Sequence, residues 1–160
     1  MHRLRLAVLL AGLALVAFAC GCARAVVMAP PLKPDASVTA QSGKLVVSIH
    51  VDPVRASVGE LITATVSIRN ISAHHYRLVE GTLAFMVRVT DASSTVVFDS
   101  ADAYRGMKMP LFTMKLAPGA TTSGRITFRL NAPGNYDAVA YSTNNPQLKT
   151  PPVRVVVSAL

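Results

Sequence analysis

Ile62-Thr63-Ala64-Thr65-Val66-Ser67-Ile68-Arg69 alternates apolar and polar residues without a break. In an extended chain, successive side chains point to opposite faces. Ile62, Ala64, Val66 and Ile68 therefore share one side, while Thr63, Thr65, Ser67 and Arg69 share the other. That is the period of a half-buried β-strand. The same period recurs on both sides of this stretch. Leu45, Val47, Ile49 and Val51 alternate with Val46, Ser48 and His50, and Leu83, Phe85, Val87 and Val89 alternate with Ala84, Met86, Arg88 and Thr90. Further short runs follow at Val96 to Phe98, Leu111 to Leu116, Ile126 to Leu130, Tyr136 to Ala140 and Val153 to Val157. Between them stand Asp52-Pro53, Ser57-Val58-Gly59, Asp91 to Ser94, Pro118-Gly119, Pro133-Gly134 and Asn144-Asn145-Pro146. Proline fixes φ at such positions, and glycine or asparagine permits positive φ, so these read as turns. No helical period persists beyond Gly43. About seven to eight short strands with turns at near-regular spacing predict an all-β fold, an Ig-like antiparallel β-sandwich over 44–160. A small barrel is the alternative closure of the same strands.

The polar phase of these strands carries Arg69, Arg88, Arg125, Arg129 and Arg154. If several share a sheet, they form a basic face suited to an anionic surface. The competing reading is that they solubilise outward faces and cover apolar surface with their stems. In the apolar phase, Tyr136 follows Pro133-Gly134-Asn135 and lines up with Ala138 and Ala140. This is the position of a tyrosine corner, whose hydroxyl bonds back to upstream backbone. Tyr141 is out of phase and is expected to matter less to stability.

Upstream of the strands the chain changes character. Met1 to Arg5 carries Arg3 and Arg5, Leu6 to Phe18 is apolar and uncharged, and Ala17-Phe18-Ala19-Cys20-Gly21-Cys22 closes the segment. A basic start, a short apolar core and small residues before a cleavage point make a secretory leader over 1–19. The apolar run is shorter than the ~20 residues of a membrane-spanning helix, which weighs against an uncleaved anchor. A cysteine at the cleavage point resembles the lipobox of bacterial lipoproteins, and it places lipidation at Cys20 or, in the alternative register, Cys22. Residues 20–43, with Pro30, Pro31 and Pro34, read as a Pro-rich linker from that lipid anchor to the sandwich. The sequence thus predicts an extracytoplasmic protein held at the membrane by a lipidated cysteine. Removing Arg3 and Arg5 takes the formal charge from +8 to about +6, a balance that favours anionic surfaces. No Lys/Arg block or basic helix points to nucleic acid.

Both cysteines lie at the processing site, so the sandwich has neither a disulfide framework nor a Cys-based metal site. No phosphate-binding Gly-rich loop, His-Glu-x-x-His or Gly-x-Ser-x-Gly occurs. Asp99 and Asp102 are close in sequence, but short acids in a polar loop cap turns rather than form an acid/base pair. The expectation is a non-enzyme without a cofactor. Met107, Met109 and Met114 form a thioether cluster which, with His74-His75 elsewhere, suits Cu(I); the competing role is gap-filling in a core. Asn70-Ile71-Ser72 matches a glycosylation sequon, an idle match in a bacterial lipoprotein.

In order, Ser67-Ile68-Arg69-Asn70-Ile71-Ser72, Phe85-Met86-Val87-Arg88-Val89-Thr90-Asp91, Val96-Val97-Phe98-Asp99-Ser100, Leu116-Ala117-Pro118-Gly119 and Pro133-Gly134-Asn135-Tyr136 resemble the BsuPI-type family, named for an intracellular proteinase inhibitor of Bacillus. The resemblance covers roughly Lys44 to Val157. It implies a β-sandwich and raises protease inhibition as an activity, without supplying inhibitory residues. The sequence itself offers two loops to a protease cleft, Ala73 to Glu80 and Ser100 to Pro110, the second with Arg105 and Lys108 suited to a trypsin-like pocket. Phe98 stands where that family often has Trp. Asp52 to Glu60 also resembles the opening of adhesion-type Ig-like modules on bacterial surfaces. Three functions therefore follow from the sequence: a binding or scaffolding module meeting an envelope protein or anionic surface, an extracytoplasmic proteinase inhibitor, and a copper-handling protein. The first fits a domain that must act through its surface.

Overall fold

The computed structural model describes residues 37–81, 85–106, 111–143 and 148–159, all within a unit that runs from Lys33 to Leu160. These residues form β1 (Ser37–Ser42), β2 (Leu45–Asp52), β3 (Arg55–Ser57), β4 (Leu61–Asn70), β5 (Tyr76–Gly81), β6 (Met86–Asp91), β7 (Val96–Asp99), β8 (Leu111–Leu116), β9 (Thr121–Arg129), β10 (Gly134–Tyr141) and β11 (Val153–Ser158). The helical content among them is a single 3₁₀ turn, Ser100–Tyr104. Four strands, in the order β1-β2-β4-β9, make one sheet; five, in the order β3-β11-β10-β6-β7, make the second; β5 and β8 form a separate ribbon. Every pair is antiparallel except β3 with β11. The fold is an all-β antiparallel sandwich.

The eight apolar runs of the sequence each become a strand, and β1, β3 and β5 are additional. The alternation settles which residues face inward. Val47, Ile49 and Val51 of β2 and Ile62 and Ala64 of β4 are 0% exposed, and so are Val87 and Val89 of β6, Ala138 and Ala140 of β10 and Val155 of β11. Apolar burial on this scale, at ~25 cal/mol per Å², holds the two sheets face to face. Near one side of the sandwich, Phe98 of β7 stacks on Phe128 of β9 with ring centroids 5.0 Å apart.

The linker ends earlier than expected. Residues 37–42, placed in it by composition, are strand β1, which pairs with β2 from Ser37↔His50 to Ser42↔Leu45. Val38 is the one sizeable apolar residue in Ser37-Val38-Thr39-Ala40-Gln41-Ser42. An edge strand held by backbone bonds needs few apolar residues, and its period is correspondingly faint. The leader, Cys20 and Cys22, and the linker before residue 37 lie outside the described residues.

Two corners tie the sandwich together. The Tyr136 side chain is buried on the inner face, and its hydroxyl donates to the Ala132 carbonyl at 2.8 Å; this is the tyrosine corner that the phase of β10 requires. The other corner is built on Asn70, which is 0% exposed. Its Nδ2 donates to the His74 and Leu116 carbonyls at 2.8 and 2.9 Å, and its Oδ1 accepts from the Ser72 amide and hydroxyl. The sequon asparagine is thus a structural hub joining β4 to the β5–β8 ribbon. Gly119 completes the corner in a turn closed by Ala120 N–H to Ala117 O, with Pro118 at its second position. The φ of Gly119 is +75°, which a residue with a Cβ adopts poorly.

Candidate functional site

The five arginines of the polar phase fall on two different faces. Arg69 on β4 and Arg125 and Arg129 on β9 stand on the outer face of the four-stranded sheet, whereas Arg88 on β6 and Arg154 on β11 stand on the outer face of the five-stranded sheet. The expected single basic face is therefore corrected to two. The cause is topological: β4 and β9 pair with each other, and β6 and β11 flank β10 in the other sheet.

On the five-stranded sheet Arg88 and Arg154 each meet an aspartate, whereas the exposed Arg55 of edge strand β3 is in no ion pair among the described residues. Arg154 Nε lies 2.6 Å from Asp137 Oδ1 on neighbouring β10. Arg88 Nε donates to Asp99 Oδ2 at 2.8 Å, directly across the β6–β7 pairing. Asp99 is also the acceptor of the Tyr141 hydroxyl at 2.7 Å and of the Ala101 amide at 3.0 Å, the latter capping the 3₁₀ turn. The Arg88 guanidinium lies 4.6 Å from the centroid of the Tyr141 ring, within cation–π range. Burial by itself would raise the Asp99 carboxyl, but the bonds from Tyr141, the Ala101 amide and Arg88 outweigh it and hold the group below the usual carboxylate value. Burial, followed by the bond to Asp99, pushes the Tyr141 phenol up to about 12. The hydrogen bond to Asp99 raises Arg88 in turn. Each group is locked in the state it already holds at neutral pH, which suits a brace and not a proton-transfer site. Beside the brace runs a groove of about 790 Å³, lined by Arg88, Thr90, Val139, Tyr141, Lys149 and Pro151 among others.

The four-stranded sheet carries a different face. Its cross-strand register lines up Thr39–Ser48–Ser67–Ser123 as one row of hydroxyls, with the Ser67 hydroxyl donating to that of Ser123 at 3.1 Å. The next rows read Ser37–His50–Thr65–Arg125 and Gln41–Val46–Arg69–Thr121. None of these three rows contains a carboxylate. Arg129 donates through Nη1 to the Gly59 carbonyl at the end of the face. Among the described residues, Arg69 and Arg125 take part in no ion pair.

The other sequence-derived sites are described only in part. Met114 on β8 is 39% exposed, while Met107 and Met109 lie outside the described residues. His74 and His75 are exposed in the turn before β5. Among the described residues, no three His, Cys, Asp or Glu side chains gather as a metal site would require. Arg105 follows the 3₁₀ turn and pairs with Asp102 at 2.5 Å; Lys108 lies outside the described residues. Of the segment from Ala73 to Glu80, residues 76–80 belong to β5 and pair with β8, so they are strand and not a protruding loop.

Sequence reading missed the joining of Arg88, Asp99 and Tyr141. The signal was present in part, because a hairpin turning at Asp91 to Ser94 places Arg88 opposite Asp99.

Sandwich topology and a tyrosine corner define the class: an all-β antiparallel sandwich, with Arg88 and Arg154 ion-paired on one outer face and Arg69 and Arg125 in no ion pair on the other among the described residues. No protein-family model matches the sequence, and neither does any curated protein. Among solved structures the chain is similar to the C-terminal domain of wzt, with a TM-score of 0.50 and 11% identity, covering 76% of this chain and 78% of that one. It is also similar to parts of two enzymes. The β-glucosidase EmGH1 from Erythrobacter marinus gives a TM-score of 0.44 at 14% identity over 75% of this chain and 16% of the enzyme. A cycloisomaltooligosaccharide glucanotransferase from Paenibacillus sp. gives 0.46 at 16% identity over 69% of this chain and 13% of the enzyme. The chain spans less than a fifth of either enzyme. At such identities the likeness to the wzt domain is one of fold.

Proposed function

We propose that this chain is a non-catalytic, membrane-anchored lipoprotein of the cell envelope whose Ig-like module binds an anionic surface through the outer face of its four-stranded sheet. The observation that carries the reading is the pair Arg69 and Arg125, which take part in no ion pair among the described residues and whose own cross-strand rows hold no carboxylate; the exposed Asp52 of this face stands in the row beyond Arg125, with Thr63 and Thr127. Such a face attracts anions by its potential and offers hydroxyls to phosphate or carboxylate oxygens, with an affinity that salt screens. The leader-like start and the cysteines at 20 and 22 supply the lipid anchor that keeps this face near a membrane. Protein partners in the envelope remain compatible with the same anchor and fold.

The test uses the exported chain with Cys20→Ser and Cys22→Ser, mixed with vesicles of phosphatidylglycerol or of phosphatidylcholine. Binding to the anionic vesicles alone, weaker at physiological than at low salt and lost in Arg69→Glu/Arg125→Glu, is the expected result. Equal binding to both vesicle types, or none to either, overturns the reading of the face. Mass spectrometry of the membrane fraction tests the anchor, and free thiols at both cysteines would overturn that part.

A further inference from the structure

The side of the sandwich between β7 and β9 is open. β9 ends the four-stranded sheet and β7 ends the five-stranded one, and among the described residues no strand pairs with the outer edge of either. β9 is nine residues long and contains no proline, and its two charged residues, Arg125 and Arg129, both stand in the outward row, whereas exposed edge strands are ordinarily shortened or blocked by proline, bulges or inward-pointing charges. β7 covers only part of it, being four residues long.

Its inward row shows the result. Thr122, Gly124, Ile126 and Phe128 of β9 oppose Ile68, Val66, Ala64 and Ile62 of β4. The β4 residues are all at most 5% exposed. On β9 only Phe128 is buried; Thr122 and Ile126 are half-buried and Gly124 is exposed. A Cβ added at Gly124 would meet no atom within 4 Å. The core is therefore unfilled along this side. A groove of about 520 Å³ runs there, lined by Val97, Phe98, Tyr104, Arg125 and Ile126, and also by Asp99 and Asp102, whose carboxylates are paired with Arg88 and Arg105.

We infer that this side is an acceptor for one added β-strand, supplied by an extended, acidic protein segment in which apolar residues alternate with Asp or Glu. Backbone bonding to the edge of β9 extends the sheet, as in other cases of strand addition. Alternate residues then fall beside the two rows of β9. Apolar ones lie beside Gly124, Ile126 and Phe128 and complete the inner row over Phe98. The others lie beside Ser123, Arg125, Thr127 and Arg129, where opposite charge is favourable and like charge is not. The same argument disfavours a second copy of this chain: two β9 strands in full antiparallel overlap would place Arg125 against its own copy. The site lies at the edge of the sheet, apart from Arg69, and it does not depend on the anionic-surface reading, although Arg125 borders both.

The test again uses the exported chain with Cys20→Ser and Cys22→Ser. Two nine-residue peptides serve as probes, one alternating valine with glutamate and one alternating valine with lysine. Hydrogen–deuterium exchange locates the binding. The Val/Glu peptide is expected to bind at least tenfold more tightly than the Val/Lys peptide and to slow exchange of amides in 121–129. Arg125→Glu/Arg129→Glu is expected to reverse that preference, and Val97→Lys to weaken both peptides while leaving the unfolding midpoint unchanged. Arg69→Glu, one half of the double variant that removes vesicle binding under the preceding proposal, is expected to leave the peptide affinity within twofold. Equal affinity for the two peptides, protection outside 121–129, or dimerisation of the chain through β9 would each overturn the acceptor site. None of these outcomes touches the vesicle result.

Discussion

The two outer faces of the sandwich use the same residue type to opposite ends. On the five-stranded sheet, Arg88 and Arg154 are spent internally, each beside an aspartate one strand away. On the four-stranded sheet, Arg69 and Arg125 stand in rows without an acid, and the exposed Asp52 of that face lies in the row beyond Arg125. A charge satisfied by its own protein contributes to stability and little to recognition; a charge left to solvent does the reverse. Substitutions on the first face should therefore register in unfolding, and those on the second in binding.

The largest effect is expected at Asp99. Its side chain is 9% exposed and is the common acceptor for Arg88, Tyr141 and the Ala101 amide. Asp99→Ala leaves those donors without their acceptor and should cost about 2–3 kcal/mol in urea unfolding. Protonation should act similarly. The folded carboxyl titrates below the ordinary 3.8, so its stabilisation is complete above that value and is lost as the pH falls through the lower folded one. The unfolding midpoint of the wild type should drop more steeply below pH 4 than that of Asp99→Asn, and parallel curves would break the brace.

Tyr136→Phe comes next, at about 1–2 kcal/mol, since it removes the bond by which the buried Tyr136 ring is tied to the Ala132 carbonyl. Tyr141→Phe should cost about 1 kcal/mol, more than its place outside the inward phase suggests. Its phenol is raised from 10.0 to about 12, so this stabilisation is complete below pH 10 and disappears as the pH rises through about 12. An ultraviolet titration of the four tyrosines should show one late step near 12 that is missing in Tyr141→Phe. A wild-type curve without that step would remove the bond to Asp99.

The smallest effects on stability belong to the open face. Arg69→Ala and Arg125→Ala should each shift stability by less than about 0.5 kcal/mol while weakening adhesion to anionic vesicles. A large loss of stability from either would erase the contrast between the faces.

Much of this architecture is legible from period two alone. Ile62 to Arg69 and Tyr136 to Ala140 place their inward residues correctly because burial on one face admits one register. β1 and β3 are not legible in this way. The first has a single sizeable apolar residue, and the second is three residues long, too short to show any period. The arginines were legible as outward but not as divided, because alternation assigns a residue to a face of its own strand and never says which sheet that strand joins. Asp99 looked like a turn cap, which it is, at Ala101. Its bond to Tyr141 spans 42 positions and depends on β10 lying next to β6, a fact of topology and not of local pattern.

Strand β11 has a consequence for how the molecule comes into being. It lies inside the five-stranded sheet, with β3 along one edge and β10 along the other, yet it comes last in sequence among the described strands. Residues Arg55–Ser57 must wait about a hundred residues for the neighbour they pair with. Contacts of such long separation make folding slow. Until Val153–Ser158 is made, β3 has no neighbour in its sheet.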